Sequence, residues 1–372
     1  FRQRRQVNFF AFFDGSQRIG NAHAQVVMAV KANFGFWLER LAQPGHAFLD
    51  LFVTDSTGKA KNPRVVDYYG EEEPIELGPD ENMHDVMIEI IARLAVKRGY
   101  VLGSGIMSSK QVGINHKEYG VTSIGVIRFA EVTLKETLGI DMHKDVFSVK
   151  LTGGPNGDVA GNSMRLLLER CPHVQIRMIV DGTGAVFDPV GLDHAALRKI
   201  VLKDDLHAFD PNALHAGAFM IYRTQTRKDG MRELFRKVAM KPEGLVESWI
   251  STDEFYKTFN SLTFTVATDL FIPAGGRPET IAAHNVEQFF DSHGYPSAKV
   301  IIEGANSFIT PEARLTLQKQ GVVIMRDASA NKCGVISSSY EILGNLMLSD
   351  TEFLLHKDEY VRDVIQILNR LA

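Results

Sequence analysis

The sequence predicts an α/β protein with a doubly wound parallel sheet and part of a second, N-terminal domain. From about residue 140 onwards, apolar runs alternate with helical segments, which is typical of a parallel sheet with helical crossovers. The run from Val146 to Glu169 reads as a strand, a glycine-rich turn and a helix. At 372 residues, the chain has enough material for about two domains.

The composition is that of a soluble globular protein. It is 45% hydrophobic and 23% charged, with a formal net charge of -4, so we expect no nucleic-acid partner. Two cysteines, Cys171 and Cys333, exclude a disulfide framework and indicate a reducing compartment. No apolar run approaches the roughly 18 to 20 residues that span a bilayer, and no secretory signal is visible. We therefore expect a cytoplasmic protein without a membrane partner.

Two helices are predicted ahead of the sheet. The first covers residues 84–98 and ends at Gly99. Its apolar residues share one helical face: Met87, Ile90, Ile91 and Leu94. The Gly- and Ser-rich stretch 103–119 reads as a loop, and the second helix follows over about 122–138.

The sheet itself is predicted from five apolar runs, near 146–152, 174–180, 263–272, 298–303 and 321–325. After the fourth strand, Thr310 as N-cap and Pro311 at the first helical position start a helix. Residues 205–260 fit the alternation least well and are predicted to form an insertion.

The glycine-rich turn carries the most specific chemistry. Its glycines are Gly153, Gly154, Gly157 and Gly161, in the pattern G-G-x-x-G-x-x-x-G rather than G-x-G-x-x-G. Glycines allow a tight turn and a close backbone approach, and the N-terminus of the following helix can hold a pyrophosphate. We include Asp158 and Val159, which open that helix, in the predicted site. A glycine-rich turn without a cofactor is the alternative.

Other candidates stand where strands end. Asp181, about 20 residues past Gly161, can accept hydrogen bonds from a ribose, which favours NAD over its 2′-phosphorylated form. Ligands of such sheets bind outside the carboxyl ends of the strands. Ala274 and Asn306 follow the third and fourth predicted strands and are assigned to the same site. Polar residues at strand ends are also common turn formers, so that alternative stays open.

Six segments, in order, resemble NAD-dependent glutamate dehydrogenase of the large-subunit type, within the Glu/Leu/Phe/Val dehydrogenase superfamily. They are LGPDEN (77–82), HKEYGVTSIGV (116–126), DGTGAVFDPVGLD (181–193), ATDLFIPAGG (267–276), IIEGANSFITPEA (301–313) and NKCGVISSSYE (331–341). The resemblance covers roughly residues 65 to 345.

The resemblance implies roles for four residues. Asp80 matches the catalytic aspartate, which would serve as general acid and base. Thr122 and Asn331 match residues near the nicotinamide, and Ser338 matches a serine that binds the side-chain carboxylate of the substrate. Read locally, Asp80 is a helix N-cap, and the segment around Ser338 is a polar helix start.

The resemblance also implies a domain organisation. Residues 1–125 would be a partial substrate domain, with 1–20 unassigned. Residues 126–336 would be a Rossmann-like NAD-binding domain that carries the insertion at 205–260. Residues 337–372 would return as helices toward the substrate domain.

The implied reaction is NAD-linked oxidative deamination of L-glutamate to 2-oxoglutarate and ammonia by a homo-oligomer. Two alternatives stay open. One is a dehydrogenase of an apolar amino acid, which would need no polar donors around Ser338. The other is a non-catalytic NAD-binding module.

One family feature is not found. The family carries a lysine in a G-G-x-K-G segment upstream of the LGPDEN-like loop. Lys31 lies in a helical apolar pattern, and Lys59 and Lys61 lie in a polar loop without paired glycines, so none of them receives the role. The chain begins with Phe1 and its N-terminal domain is short, so we expect a fragment of a longer enzyme. A damaged or misread N-terminal region is the alternative.

Some reactive residue types are given no role. His116 and Lys117 are expected at the surface of a loop, and Cys333 is expected to be a small packing residue. The remaining histidines considered show no metal-ligand spacing: His215, His284 and His356.

Overall fold

The computed structural model describes residues 65–66, 72–73, 85–97, 99, 103–108 and 110–372. The chain divides into two compact units. The first comprises Phe1–Asn115 and Ile336–Val364, and the second comprises His116–Val335 and Ile365–Ala372. The predicted catalytic Asp80, and the lysines considered at 31, 59 and 61, lie outside the described residues. The domain limits proposed from the sequence remain predictions.

The helices, in chain order, are α1 (Asp85–Lys97), α2 (His116–Tyr119), α3 (Val121–Leu138), α4 (Asp158–Arg170), α5 (His194–Ile200), α6 (Thr252–Thr265), α7 (Pro311–Lys319), α8 (Asp327–Ala330), α9 (Cys333–Met347) and α10 (Asp350–Leu371). The strands are β1 (Val65–Val66), β2 (Glu72–Glu73), β3 (Phe147–Thr152), β4 (Val174–Asp181), β5 (Gly184–Phe187), β6 (Phe219–Asp229), β7 (Arg232–Lys241), β8 (Gly244–Ser251), β9 (Thr268–Pro273), β10 (Ala298–Ile302) and β11 (Val323–Met325). Among the described residues, no helix combines the length and apolar character that a bilayer crossing requires.

The second unit is built on one nine-stranded sheet in the order β11-β10-β9-β3-β4-β5-β6-β7-β8. The first five strands of this order run parallel, and the last four continue the sheet antiparallel. The α/β prediction is confirmed, as are α1, α3 and the cap of α7, where Thr310 Oγ1 accepts from the N–H of Ala313 at 3.3 Å.

The prediction for the third parallel strand was partly wrong. Residues 263–265 end helix α6, and β9 starts only at Thr268. Ser251 caps α6 by accepting from the N–H of Glu254, and the buried Leu262 and Phe264 then continue its apolar face. One unbroken apolar run therefore serves a helix end and a strand, which periodicity over so few residues does not separate.

The predicted insertion is part of the main sheet. β6, β7 and β8 form an antiparallel meander joined through β5 to β4. Gly230, at φ 61°, and Gly244, at φ 119°, supply the left-handed backbone at its two tight turns. The loop expected over 103–119 likewise ends in a helical turn, because α2 begins at His116.

Both faces of the parallel part are covered. Phe271 of β9 and Ile301 of β10 pack in one apolar cluster with Ala313 and Leu317 of α7. Side chains alternate along a strand, so the neighbouring residues point to the opposite face: Leu270, Ile272, Val300 and Ile302. These are buried as well. The sheet is therefore doubly covered, as the fold class requires.

Lys150 is fully buried in the central strand β3. Its ammonium donates to the carbonyls of Thr263 and Val266 at 2.7 and 2.9 Å, and to Ser297 Oγ at 2.8 Å. Those carbonyls belong to the end of α6, where a cation complements the helix dipole. Burial lowers the pKa of Lys150 well below its ordinary value. The lysine thus fastens α6 to the middle of the sheet.

Candidate functional site

Three loops meet at the carboxyl ends of β3, β9 and β10 without room for side chains. A Cβ on Gly153 would lie 2.7 Å from Ala160 Cβ and 3.0 Å from the nitrogen of Gly275. A Cβ on Gly304 would lie 3.0 Å from Val159 Cγ1 and 3.4 Å from the Cα of Ala274. The structure therefore brings together the predicted site residues Gly153, Val159 and Ala274.

The other glycines of the turn differ in how strictly they are required. A Cβ on Gly154 would lie 2.6 Å from Asp181 Oδ2, and one on Gly161 would overlap the carbonyl oxygen of Pro155. Gly157 has φ -72° and ψ 150°, a backbone conformation that any residue adopts. The unusual spacing is explained by these contacts, because Gly161 rather than Gly157 lets the helix approach the turn.

The N-terminus of α4 opens from this turn. Its N-cap is Gly157, so no side chain accepts hydrogen bonds from the first helical turn in the described structure. The first N–H groups of a helix have no partner within the helix, and together with the helix dipole they favour an anion. Asp158 is the first residue of this helix. The N-terminus of α4 thus has the features of a phosphate-binding site, with the carboxylate of Asp158 beside it.

Asp181 ends β4 and lies against Gly154. Its Oδ1 accepts from Thr183 N–H and Oγ1, both at 2.7 Å, and from Gly184 N–H at 3.1 Å. Its Oδ2 accepts from Leu206 N–H at 2.9 Å. The carboxylate therefore organises the β4–β5 turn. A carboxylate oxygen can accept two hydrogen bonds, so Oδ2 retains capacity for a ligand hydroxyl.

The predicted residues Asn306 and Asn331 contact each other. Asn331 Nδ2 donates to Asn306 Oδ1 at 2.6 Å and to the carbonyl of Gly304 at 3.2 Å. This joins the loop after β10 to the segment between α8 and α9. Ser307, in the same loop, has φ 56° and donates its N–H to Asp327 Oδ2 at 2.8 Å.

Glu303 stabilises the loop after β10. It is fully buried, and its two carboxylate oxygens accept from Arg314 Nη2 at 3.0 and 2.9 Å. Oε2 also accepts from Asp327 N–H at 3.3 Å. Burial raises the pKa of Glu303, and the Arg314 charge opposes that rise. Glu303 therefore pairs with Arg314, and both Glu303 and Asp327 accept from backbone N–H groups of this region.

Thr122 lies in the first turn of α3 and is buried. A Cβ on Gly334 would lie 2.7 Å from Thr122 Oγ1 and 3.8 Å from His116 Cε1. The N–H of Gly334 donates to the carbonyl of Asn331 at 3.2 Å. The structure thus places Thr122 and Asn331, both assigned to the nicotinamide end, in one region of the second unit.

His116 and Lys117 were wrongly expected in a loop. Both belong to α2, and Lys117 Nζ donates to Asn156 Oδ1, inside the glycine-rich turn, at 2.9 Å. His116 is half-buried, and burial lowers the pKa of its imidazole, while the charge of Asp158 opposes that shift. Their residue types gave no signal, because this contact joins segments about forty residues apart in the sequence. Gly275 and Gly304 were visible as glycines after apolar strands, but neither was assigned.

Cys333 packs as the sequence predicts. A Cβ on Gly125 of α3 would lie 2.9 Å from Cys333 Sγ and 2.7 Å from the carbonyl oxygen of Ala330. Burial raises the pKa of the Cys333 thiol. Gly125 therefore lets α3 approach this segment closely, and the thiol fills the contact.

Ser338 belongs to the first unit, on α9. Glu341, three residues later on the helix, is buried and accepts from Lys110 Nζ at 2.8 Å and from the N–H of Ile114 at 3.2 Å. Lys110 also donates to the carbonyl of Met107 at 2.9 Å. A buried ion pair therefore fixes the stretch of α9 that carries Ser338.

Comparison with known proteins gives a consistent result. The family profile of Glutamate/Leucine/Phenylalanine/Valine dehydrogenase matches residues 113–367. The chain is 32% identical over 342 residues to a probable NAD-specific glutamate dehydrogenase of Schizosaccharomyces pombe, covering 88% of this chain and 28% of that protein. It is 33% identical over 315 residues to an NAD-specific glutamate dehydrogenase of Neurospora crassa, covering 83% and 28%. The chain thus spans little more than a quarter of these relatives.

Solved structures resemble the fold. Glutamate dehydrogenase of Plasmodium falciparum matches with a TM-score of 0.51 and 15% identity, covering 79% of this chain and 53% of that chain. Another glutamate dehydrogenase structure matches with a TM-score of 0.51 and 14% identity, covering 80% and 56%. At such identities the likeness concerns the fold alone.

Proposed function

The chain belongs to the Glutamate/Leucine/Phenylalanine/Valine dehydrogenase family, and we propose that it carries the cofactor-binding part of an NAD-linked glutamate dehydrogenase. The reaction is the oxidative deamination of L-glutamate to 2-oxoglutarate and ammonia. The observation that carries the proposal is the set of glycine-lined loops at the ends of β3, β9 and β10, which are closed to side chains. Relatives named NAD-specific glutamate dehydrogenases support the choice of cofactor and substrate.

The residues present fit a dinucleotide. A side chain on Gly154 would collide with Asp181, and one on Gly161 would displace the glycine-rich turn. The N-terminus of α4 offers N–H donors without a side-chain cap. Gly157 to Val159 would hold the diphosphate, and Asp181 would accept from the adenosine ribose. Thr122, Asn331 and Asn306 would lie toward the nicotinamide. Each of these assignments is a proposal.

The chemistry then divides between cofactor and chain. NAD, when bound, supplies the acceptor for the hydride that leaves the α-carbon. Asn331, whose amide is held by Asn306 and Gly304, orients the reacting end. Ser338 would donate a hydrogen bond from its hydroxyl to the side-chain carboxylate of the substrate. Asp80 takes a proton from the amine or water and later returns it.

The test uses the full-length protein that contains this chain. We measure formation of reduced NAD with L-glutamate for wild type, Asp80→Asn, Ser338→Ala and the control Ser339→Ala. Asp80→Asn loses turnover while it retains NAD binding. Ser338→Ala raises the KM for glutamate roughly tenfold or more, since a hydrogen bond to a charged group contributes about 1.5 to 3 kcal/mol. Ser339→Ala leaves that KM within about twofold.

Other outcomes would refute the proposal in distinct ways. Faster turnover of L-leucine or L-valine than of L-glutamate would identify a dehydrogenase of apolar amino acids. NAD binding without turnover of any amino acid would identify a non-catalytic module. No NAD binding at all would remove the cofactor assignment. The cytoplasmic location, the homo-oligomer and the lack of nucleic-acid or membrane partners stay predictions.

A further inference from the structure

A lysine from a distant part of the sequence contacts the glycine-rich turn. Lys117 of α2 donates from Nζ to Asn156 Oδ1 at 2.9 Å, and Asn156 lies between the paired glycines and the start of α4. In the proposed function this turn holds the diphosphate of the cofactor, whose two negative charges are stabilised by nearby positive charge. The N–H groups of a helix end supply only partial charges. Lys117 brings a full positive charge to the same turn.

The backbone of Lys117 is fixed against α4. The buried Asn162 of α4 donates from Nδ2 to the carbonyl of Lys117 at 2.8 Å and to the carbonyl of Asp158 at 3.0 Å. Gly120, at φ 64°, directly follows α2, and a Cβ there would lie 2.6 Å from Asn162 Oδ1. A buried amide therefore joins α2 to the first turn of α4 and determines where the lysine side chain starts.

The ammonium of Lys117 retains donors for an anion. Among the described residues, Lys117 Nζ donates to Asn156 alone. An ammonium group has three N–H donors, and the residue is exposed to solvent. Two donors therefore stay available for phosphate oxygens while the bond to Asn156 orients the group.

An acid in the same place makes a positive charge more important. Asp158 is the first residue of α4, beside the N–H groups that are proposed to bind the diphosphate. A carboxylate at this point disfavours a diphosphate, because like charges repel. Burial raises the pKa of Asp158, and the positive charge of Lys117 is among the influences that oppose this rise. The lysine thus offsets an unfavourable charge beside the proposed site.

We propose that Lys117 is a cofactor-binding residue whose ammonium, oriented by Asn156, binds the diphosphate of NAD. This rests on the proposed function, since it requires a dinucleotide at α4. The contribution of Lys117 then depends on a diphosphate in the ligand and on ionic strength, because salt screens exposed charges. A lysine that only stabilised the fold would affect all ligands of the site alike.

The experiment compares three ligands of the full-length protein by calorimetry: NAD, ADP-ribose, which keeps the diphosphate, and adenosine, which lacks it. Lys117→Gln weakens binding of NAD and ADP-ribose about tenfold, as expected for one hydrogen bond between charged groups, and leaves adenosine within about twofold. Lys117→Arg retains the charge and recovers most of the loss. The control Lys135→Gln, at an exposed lysine of the same unit, binds all three ligands as wild type does.

Two further measurements examine the geometry and the charge. Asn156→Ala removes the partner of the ammonium, so ADP-ribose binds about threefold more weakly, and the same change adds little to Lys117→Gln. Raising the salt concentration from about 0.05 M to about 0.5 M weakens ADP-ribose binding to wild type more than to Lys117→Gln.

A readout on the wild type does not depend on whether a variant folds. Lysine amines are acetylated with limiting acetic anhydride, and peptide mass spectrometry follows the rate at each lysine. We expect ADP-ribose to slow the acetylation of Lys117 and adenosine to leave it unchanged. Lys135 reacts at the same rate in all three samples.

Three results would overturn the inference: unchanged ADP-ribose affinity in Lys117→Gln, an equal loss of affinity for adenosine and ADP-ribose, or acetylation of Lys117 at one rate with and without ADP-ribose. Failure of the wild type to bind NAD would instead refute the proposed function. The two failures are therefore distinguishable.

Discussion

Replacing Gly161 by alanine tests whether the close contact between α4 and the glycine-rich turn requires glycine at this position. The new Cβ would lie 2.9 Å from Leu202 Cδ2 and 3.1 Å from the carbonyl carbon of Pro155, and closer still to its oxygen. Carbon atoms pack at about 3.5 to 4.0 Å, so the turn must move away from α4 to relieve these overlaps. Pro155 O already accepts from Leu202 N–H at 2.9 Å, and Leu202 has φ 60°, so local relaxation is costly.

The magnitude follows from two opposing effects. Overpacking costs about 1 to 3 kcal/mol, whereas alanine in place of glycine inside a helix returns about 1 kcal/mol. We expect a net loss of up to about 2 kcal/mol, which lowers Tm by up to about 3 °C in a chain of 372 residues. The displaced turn also weakens NAD binding by about tenfold or more.

The matched control is Gly157→Ala in the same turn. Gly157 has an ordinary backbone, and a Cβ there would meet its nearest atom, Gly154 O, at 3.1 Å. Thermal unfolding and NAD titration are measured for both variants. Equal Tm in the two would refute the reasoning, because the predicted stabilities of the two variants differ only through this contact. NAD affinity is compared between Gly161→Ala and wild type, since Gly157 is itself proposed to hold the diphosphate.

The remaining predictions concern buried charge and thiol groups. Asp181→Ser removes acceptors for Leu206 N–H and the β4–β5 turn, so it lowers the free energy of unfolding by about 2 to 4 kcal/mol and reduces discrimination against NADP; unchanged NAD affinity in a titration would show that Asp181 does not bind the ribose. Glu303→Gln leaves the Arg314 charge buried and lowers the free energy of unfolding by about 3 to 5 kcal/mol, whereas adding Arg314→Met recovers part of this loss in denaturant unfolding; a double variant as unstable as the sum of both singles would contradict the pairing. Burial raises the pKa of Cys171 to about 12, so the native thiol reacts slowly with thiol reagents at about pH 8, and the free energy of unfolding falls as pH rises above about 8.5; fast labelling of native Cys171 would oppose this.

Strong apolar periodicity was enough to predict the parallel part of the fold. β3, β4, β10 and α3 are buried along their whole length or on a wide face, so their patterns survive any change in context. The meander β6–β8 mixes buried and exposed residues without regular alternation. Its strands are stabilised by their neighbours in the sheet, which a local pattern does not reveal.

The candidate site was predictable where backbone geometry demands one residue type. Positions 153, 154 and 161 leave no room for a side chain, so the glycine motif in the sequence is enough to identify them. The contacts of Lys117 with the glycine-rich turn, and of Lys150 with the end of α6, depend on distant segments. No neighbouring residue in the sequence indicates such a partner for either lysine.

The strand pairings also imply an order of assembly. β6, β7 and β8 are linked by tight turns, whereas β3 pairs with β9 across more than a hundred residues, as in Val149 with Leu270. Closing a long loop is slow, and local hairpins form fast. The meander β6–β8 therefore forms before the central strands β3 and β9 pair. The contact between Gly153 and Gly275 depends on that late pairing. Substitutions in the glycine-rich turn therefore accelerate unfolding more than they slow folding.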